Sequence, residues 1–91
     1  MKFNRRDANE SEIIDALTQA GCDVVGVERQ PFDIVVGRAG RTYLLEVKTA
    51  KGKLKDSQVA FREAWRGHYA IVRTVDDALR AVGLSTPADT A

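Results

Sequence analysis

The chain has 91 residues, of which 44% are hydrophobic and 30% charged, and it carries a formal net charge of +1. Its length predicts one domain over residues 1–84 followed by a flexible tail over 85–91, and no apolar run approaches the roughly 20 residues of a membrane span. The single cysteine, Cys22, excludes an internal disulfide framework, and because the N-terminus also lacks the apolar segment of a signal peptide, we expect a cytoplasmic protein.

Acidic and basic residues are unevenly distributed along the chain. Residues 7–33 contain seven acids and one base, whereas residues 37–73 contain nine bases and three acids. A basic half beside an acidic half suits a protein that meets a polyanion on one side. An ordinary solvated surface with uneven charge would have the same pattern, so charge alone does not select a partner.

The first predicted element is a helix from about Ala8 to Ala20, which begins with overlapping capping boxes and ends at a glycine. Ile13, Ile14 and Leu17 define its apolar face. At about 100° per residue, Glu10 falls about 15° from the centre of that face. A glutamate aimed at the sheet from the first helical turn is unusual and makes Glu10 a candidate site residue. The alternative is a glutamate favoured there by the helix dipole.

Three strands are predicted next, over residues 23–29, 32–36 and 43–48. The second and third have the β-branched and aromatic enrichment of buried strands. Between them, residues 37–41 contain two glycines and indicate a hairpin loop. The two strands are therefore expected to pair.

Three charged residues interrupt these otherwise apolar strands. Asp33 lies in the second strand, and Glu46 and Lys48 lie in the third. Because side chains alternate across a strand, Glu46 and Lys48 share one face, and hairpin pairing brings Asp33 close to Glu46. Buried charges are costly unless they find partners or a metal. Two carboxylates and a lysine at one place predict a hard-cation site beside a positive group, which suits phosphodiester cleavage.

The remaining elements complete an α/β pattern. A basic loop over residues 50–55 leads to a helix over about 56–65 and a fourth strand over 68–73. A last helix is capped by Thr74 and ends near Gly83. The order αβββαβα predicts a central mixed sheet flanked by helices, with the fourth strand parallel to its neighbour.

Pro31-Phe32-Asp33, with Glu46-Val47-Lys48 thirteen positions after the aspartate, resembles the motif of the PD-(D/E)XK nuclease superfamily. The chain looks most like the small virus-type replication-repair nuclease (VRR-NUC) domains and, more distantly, the archaeal Holliday junction resolvases. The resemblance covers roughly residues 7–83 and includes the element order of the restriction-endonuclease-like core. It implies a metal-dependent DNA endonuclease selective for branched or junction DNA, acting in phage or mobile-element replication and repair, as a homodimer.

The resemblance also implies a role for each candidate site residue. Asp33 and Glu46 would bind Mg²⁺, for which Mn²⁺ is expected to substitute. The main-chain carbonyl of Val47 would be a third ligand, and Glu10 would hold a second ion or a metal-bound water. Lys48 would orient the attacking water or neutralise charge that grows on the phosphate.

Gln58 opens the second helix, where the VRR-NUC pattern has a glutamine that accompanies the ExK motif; a helix-surface amide is the alternative. Nuclease subfamilies with a tyrosine four residues later differ from this chain, which has Arg62 there. The loop before this helix carries three lysines, Lys51, Lys53 and Lys55. They are candidates for sequence-independent phosphate contacts, or they belong to a solvated loop. Phe61 and Trp65 are interpreted as core or dimer contacts rather than as base-stacking surfaces.

Three other hypotheses stay open. The first is a nickase or flap nuclease on the same fold. The second is a catalytically silent nucleic-acid-binding or interaction module, and the third is an accidental motif in an unrelated α/β domain. Metal binding separates the enzymes from the last two hypotheses, and the shape of the preferred DNA separates the enzymes from each other.

Overall fold

A computed structural model describes residues 8–27 and 32–85. Over these ranges the order of elements is αβββαβα. The helices are α1 (Ala8–Gln19), α2 (Asp56–Ala64) and α3 (Val75–Ala81), and the strands are β1 (Asp23–Gly26), β2 (Ile34–Arg38), β3 (Arg41–Val47) and β4 (Tyr69–Val72). Pro31 of the motif, the last residues of the first predicted strand and nearly all of the predicted tail lie outside the described residues. Within the described ranges, no helix has the length and apolar character needed to cross a bilayer.

The strands form one mixed sheet in the order β1-β2-β3-β4. β1, β2 and β3 are an antiparallel meander, and β4 pairs parallel to β3. A parallel pair needs a crossover connection, which contains α2 here. The predicted α/β class with a mixed sheet is confirmed.

A two-residue turn, Ala39-Gly40, joins β2 to β3 and is tighter than the predicted loop over 37–41. Its residues have φ of 53° and 77°, the two positive values of a type I′ turn, whose twist matches that of paired strands. Glycine adopts this conformation without a steric penalty. The short turn extends both strands and fixes the register in which Ile34 lies opposite Leu45.

The hydrophobic core lies between one face of the sheet and the helices α1 and α3. Ile13 and Leu17 of α1 and Ala78 of α3 are fully buried there. The sheet contributes alternate residues of its strands, Ile34, Val36, Tyr43, Leu45, Val47 and Val72. Because successive side chains point to opposite faces of a sheet, Glu46 projects from the other face, where Gln58 of α2 contacts it.

The aromatic residues of α2 lie outside this core. The Phe61 ring is half-buried against Tyr69 and Phe32, with ring centroids 5.2 Å and 5.8 Å away. Trp65 follows the end of α2 and is 45% exposed. The interpretation of Trp65 as a core residue is therefore wrong, and its role in a dimer stays a prediction.

Candidate active site

Asp33 and Glu46 lie near each other, Asp33 just before β2 and Glu46 near the end of β3. The paired part of β2 ends at Ile34, opposite Leu45, and the Asp33 N–H also donates to the Leu45 carbonyl, at 3.0 Å. Asp33 therefore lies just outside the paired register, beside the end of β3. Glu46 is the residue that follows Leu45 there.

The Asp33 carboxylate is held by the backbone of β3. Its Oδ2 accepts a hydrogen bond of 2.8 Å from the Val47 N–H. The N–H and C=O of one residue point to the same side of a strand, so the Val47 carbonyl is directed to the Asp33 side of β3. The Val47 carbonyl and the Asp33 carboxylate, both of them predicted ligands, thus lie on the same side of β3.

Glu46 is buried, with 2% of its surface exposed. Its Oε2 accepts a hydrogen bond of 2.8 Å from Nε2 of Gln58 and lies 3.3 Å from Nζ of Lys48. Its Oε1 is also buried and has no hydrogen-bond partner among the described residues. Leaving a buried carboxylate oxygen unsatisfied costs stability, so this oxygen is suited to a ligand.

Burial and, next in size, the negative charge of Asp33 raise the pKa of Glu46 from 4.5 to about 7, against the opposing effect of Lys48. Two carboxylates this close favour a positive charge near them, which is a proton on the pair below about pH 7 when no cation is bound. A metal ion would replace that proton.

Gln58 joins the start of α2 to this pair. Its Oε1 accepts a hydrogen bond of 2.9 Å from the backbone N–H of Lys55, the N-cap of α2, while its Nε2 donates to Glu46. The side chain is buried, with 3% of the residue exposed. The alternative of a helix-surface amide is therefore wrong.

The first turn of α1 approaches the same end of β3. Nδ2 of Asn9 donates to the Lys48 carbonyl at 3.2 Å. Glu10, the next residue, is buried with 7% of its surface exposed. However, no group of three or more His, Cys, Asp or Glu side chains within residues 8–27 and 32–85 is placed to hold a metal ion. The role of Glu10 in a second ion site stays a prediction.

Arg73 holds the basic loop between β3 and α2. Its Nη1 donates to the carbonyls of Thr49 at 2.5 Å and Gly52 at 2.8 Å. The lysines of this loop, Lys51, Lys53 and Lys55, are exposed. Arg73 was not among the residues that the sequence pattern selected, because its contacts lie 21 and 24 positions away in the chain.

Tyr69 is a second residue that the sequence pattern did not select. It pairs with Leu44 in the parallel ladder, so its side chain lies on the same sheet face as Glu46. Its hydroxyl is buried and has no hydrogen-bond partner among the described residues. Burial, and then the charges of Glu46 and Asp33, raise the pKa of Tyr69. Only the register of β3 with β4 could have identified it.

These side chains form a concentrated polar site on an otherwise apolar sheet. Two neighbouring carboxylates with a backbone carbonyl beside them can hold a hard cation, and Lys48 places a positive charge next to them. The sequence matches no protein-family model, and no curated protein and no solved structure matches the chain.

Proposed function

We propose that the chain is a metal-dependent DNA endonuclease with a PD-(D/E)XK-type site. The observation that carries the proposal is the buried Oε1 of Glu46, which has no partner among the described residues and belongs to the carboxyl group whose pKa the nearby Asp33 raises. Mg²⁺ prefers oxygen ligands and typically uses one or two carboxylates in such sites. The carboxylates of Asp33 and Glu46 with the carbonyl of Val47 are a donor set of this kind.

The arrangement of elements supports the same proposal. Three consecutive antiparallel strands, a helical crossover and a parallel fourth strand agree with a restriction-endonuclease-like core. Of the candidate ligands, Asp33 comes directly before the second strand, and Glu46 and Val47 end the third, which is similar to the arrangement in PD-(D/E)XK nucleases. We therefore include this core type in the proposal.

Each residue of the site would have a distinct part in phosphodiester hydrolysis. When bound, the metal ion would lower the pKa of a water molecule and polarise the phosphoryl oxygen. Asp33 and Glu46 hold the cation, and Gln58 fixes the orientation of Glu46 through Oε2. Lys48, 15% exposed at its side chain, neutralises negative charge that develops on the phosphate.

The proposed substrate is branched or junction DNA. The exposed lysines of the loop before α2 supply sequence-independent contacts to phosphates, so binding is expected to weaken steeply with salt. A homodimer would supply two sites for symmetric incision of a junction. Phage or mobile-element replication and repair is the setting that fits such an enzyme.

Cleavage assays on defined DNA structures test this function. A four-way junction, a flap and a plain duplex are incubated with the protein and Mg²⁺ or Mn²⁺. We expect the junction to be cut, and Glu46→Ala and Glu46→Gln to lose at least about 100-fold in rate. Glu12→Gln is the matched control, because Glu12 is an exposed glutamate of α1 and should cut at the wild-type rate.

A catalytically silent nucleic-acid-binding module is the second candidate. It is favoured by the absence of a three-carboxylate cluster from the described residues and by the ion pair that Glu46 already makes with Lys48. This module would bind DNA without cutting any of the three structures with either metal. That result would replace the endonuclease proposal.

A further inference from the structure

The ring of Trp65 is presented to solvent on an aromatic support. It stacks on Phe61 with ring centroids 5.3 Å apart and an interplanar angle of 19°. Phe61 in turn packs edge-on against Tyr69 on the sheet. The indole therefore rests on Phe61 on the protein side, while 45% of the Trp65 residue is exposed.

Gly67 lets the backbone approach this ring closely. A Cβ atom at this position would lie 2.8 Å from Nε1 of Trp65, closer than such atoms pack, and 3.1 Å from its Cε2, a tight contact. The absence of a side chain at Gly67 thus leaves room for the ring. The indole thus packs against the backbone at Gly67 as well as on Phe61.

The surroundings of Trp65 are basic. Arg62 lies one helical turn before it, on the same side of α2, and Arg66 follows it. From Lys51 to Arg66 the chain carries five basic residues and two acidic ones, all of them exposed. An exposed aromatic ring among arginines and lysines is a combination that binds single-stranded nucleic acid.

We propose that Trp65 is a stacking platform for an unpaired base of the DNA strand that is bound at the Asp33–Glu46 site. This inference rests on the proposed endonuclease function and specifies its substrate. Gln58, which contacts Glu46, and Trp65 are separated by seven residues, or about 10 Å along α2. A base close to the phosphate at the site would therefore reach the ring. Stacking is tolerant of sequence, so the platform selects DNA in which bases are unpaired, as at a branch.

The fluorescence of Trp65 reports such stacking directly, because Trp65 is the only tryptophan of the chain. The full chain is titrated in EDTA with an eight-residue oligothymidylate and with an abasic oligonucleotide of the same length. The two probes carry the same phosphates, and only the first has bases. Fluorescence anisotropy of labelled probes measures binding in parallel, for the wild type, Trp65→Phe and Trp65→Ala.

We expect the oligothymidylate, but not the abasic probe, to quench Trp65. Trp65→Ala should weaken binding of the oligothymidylate by roughly five- to 100-fold and leave binding of the abasic probe unchanged, while Trp65→Phe retains most of the affinity. Val25→Ala is the matched control, because Val25 is another exposed apolar residue, at 60% exposure. This variant is expected to bind both probes as the wild type does.

Two results would overturn the proposal. The first is that Trp65→Ala binds the oligothymidylate and the abasic probe with the same affinities as the wild type does. The second is that the emission of Trp65 shifts to the blue when the protein concentration is raised without DNA, which would assign the ring to an interface between two copies of the chain. The metal-free design keeps this test apart from catalysis. Base-dependent quenching without cleavage of any DNA would support the stacking platform and reject the nuclease. Cleavage without quenching would support the nuclease and reject the stacking platform.

Discussion

The side-chain amide of Gln58 lies 2.8 Å from Oε2 of Glu46, and this contact makes the two oxygens of the carboxylate unequal. Oε2 is shared between Gln58 and Lys48, whereas the buried Oε1 has no hydrogen-bond partner within the described residues. One oxygen is thus fixed by the protein and the other is suited to a ligand. The same amide caps α2, so the start of the helix and the orientation of the carboxylate depend on one residue.

Glu46→Gln should change how the stability of the metal-free protein depends on pH. The pKa of Glu46 is raised from 4.5 to about 7 in the folded state. The contribution of Glu46 to the free energy of unfolding is therefore fully present below pH 4.5 and is lost as pH rises through 7. The free energy lost in this way is about 3 kcal/mol. Urea denaturation between pH 4 and 8 should show a wild-type free energy of unfolding that falls relative to that of Glu46→Gln. Parallel curves for the two proteins would contradict the shift.

Metal binding should have the opposite dependence on pH. A cation between Asp33 and Glu46 competes with the proton that the pair holds, so it binds better when pH exceeds about 7. We expect Mg²⁺ to raise the melting temperature more at pH 8 than at pH 5.5. Asp33→Asn should abolish the increase, while Asp15→Asn, at an exposed aspartate of α1, should keep it. An equal increase in both variants would place the ion elsewhere.

Gln58→Ala should lower both stability and cleavage. It removes the hydrogen bond to Glu46 and the acceptor of the Lys55 N–H, and the expected loss is about 1–2 kcal/mol in the free energy of unfolding. Because the carboxylate loses its orientation, the cleavage rate should fall while the affinity for DNA, measured in Ca²⁺, stays close to that of the wild type. Glu63→Gln, at an exposed residue of the same helix, is the control. Equal loss in both variants would show a general effect on α2.

Arg73→Ala should loosen the basic loop. Arg73 holds the carbonyls of Thr49 and Gly52, so its loss leaves this segment without its main support. Trypsin should then cut after Lys51 and Lys53 several-fold faster, as followed by mass spectrometry. Arg80→Ala removes one arginine from an exposed position of α3 and should leave cleavage at these lysines unchanged. An unchanged rate in Arg73→Ala would mean that the loop is held by other contacts.

Tyr69→Phe should separate stability from activity. Its buried hydroxyl lacks a hydrogen-bond partner among the described residues, so its removal should leave the free energy of unfolding equal or higher by up to about 1 kcal/mol. The cleavage rate of the same variant falls if the Tyr69 hydroxyl forms a hydrogen bond with the bound DNA or with a water molecule on the DNA. Tyr43→Phe is the control, because Tyr43 lies on the opposite face of the sheet, in the core. A loss of stability in Tyr69→Phe would show that the hydroxyl has a structural partner.

The sequence by itself determined the order of the elements and the two carboxylates of the site. Strand alternation places Glu46 and Lys48 on one face, and the hairpin brings Asp33 near Glu46; both follow from signals within a few residues of chain. The sequence determined the first and last residues of the helices and strands less well. The tight turn lengthens β2 at the hairpin, to Arg38, whereas β2 begins at Ile34 rather than Phe32 because the N–H of Asp33 bonds outside the paired register.

Only the tertiary structure decided which other residues reach the site and which do not. The contact of Gln58 with Glu46, the hold of Arg73 on its loop and the position of Tyr69 all depend on how α2 and β4 pack against β3. The exposure of Trp65 was decided in the same way, since its apolar character predicted a buried ring. Such contacts join residues that are far apart in sequence, and local patterns of hydrophobicity and charge do not encode them. The raised pKa of Glu46 has the same origin, because burial and a neighbouring carboxylate exist only in the folded chain.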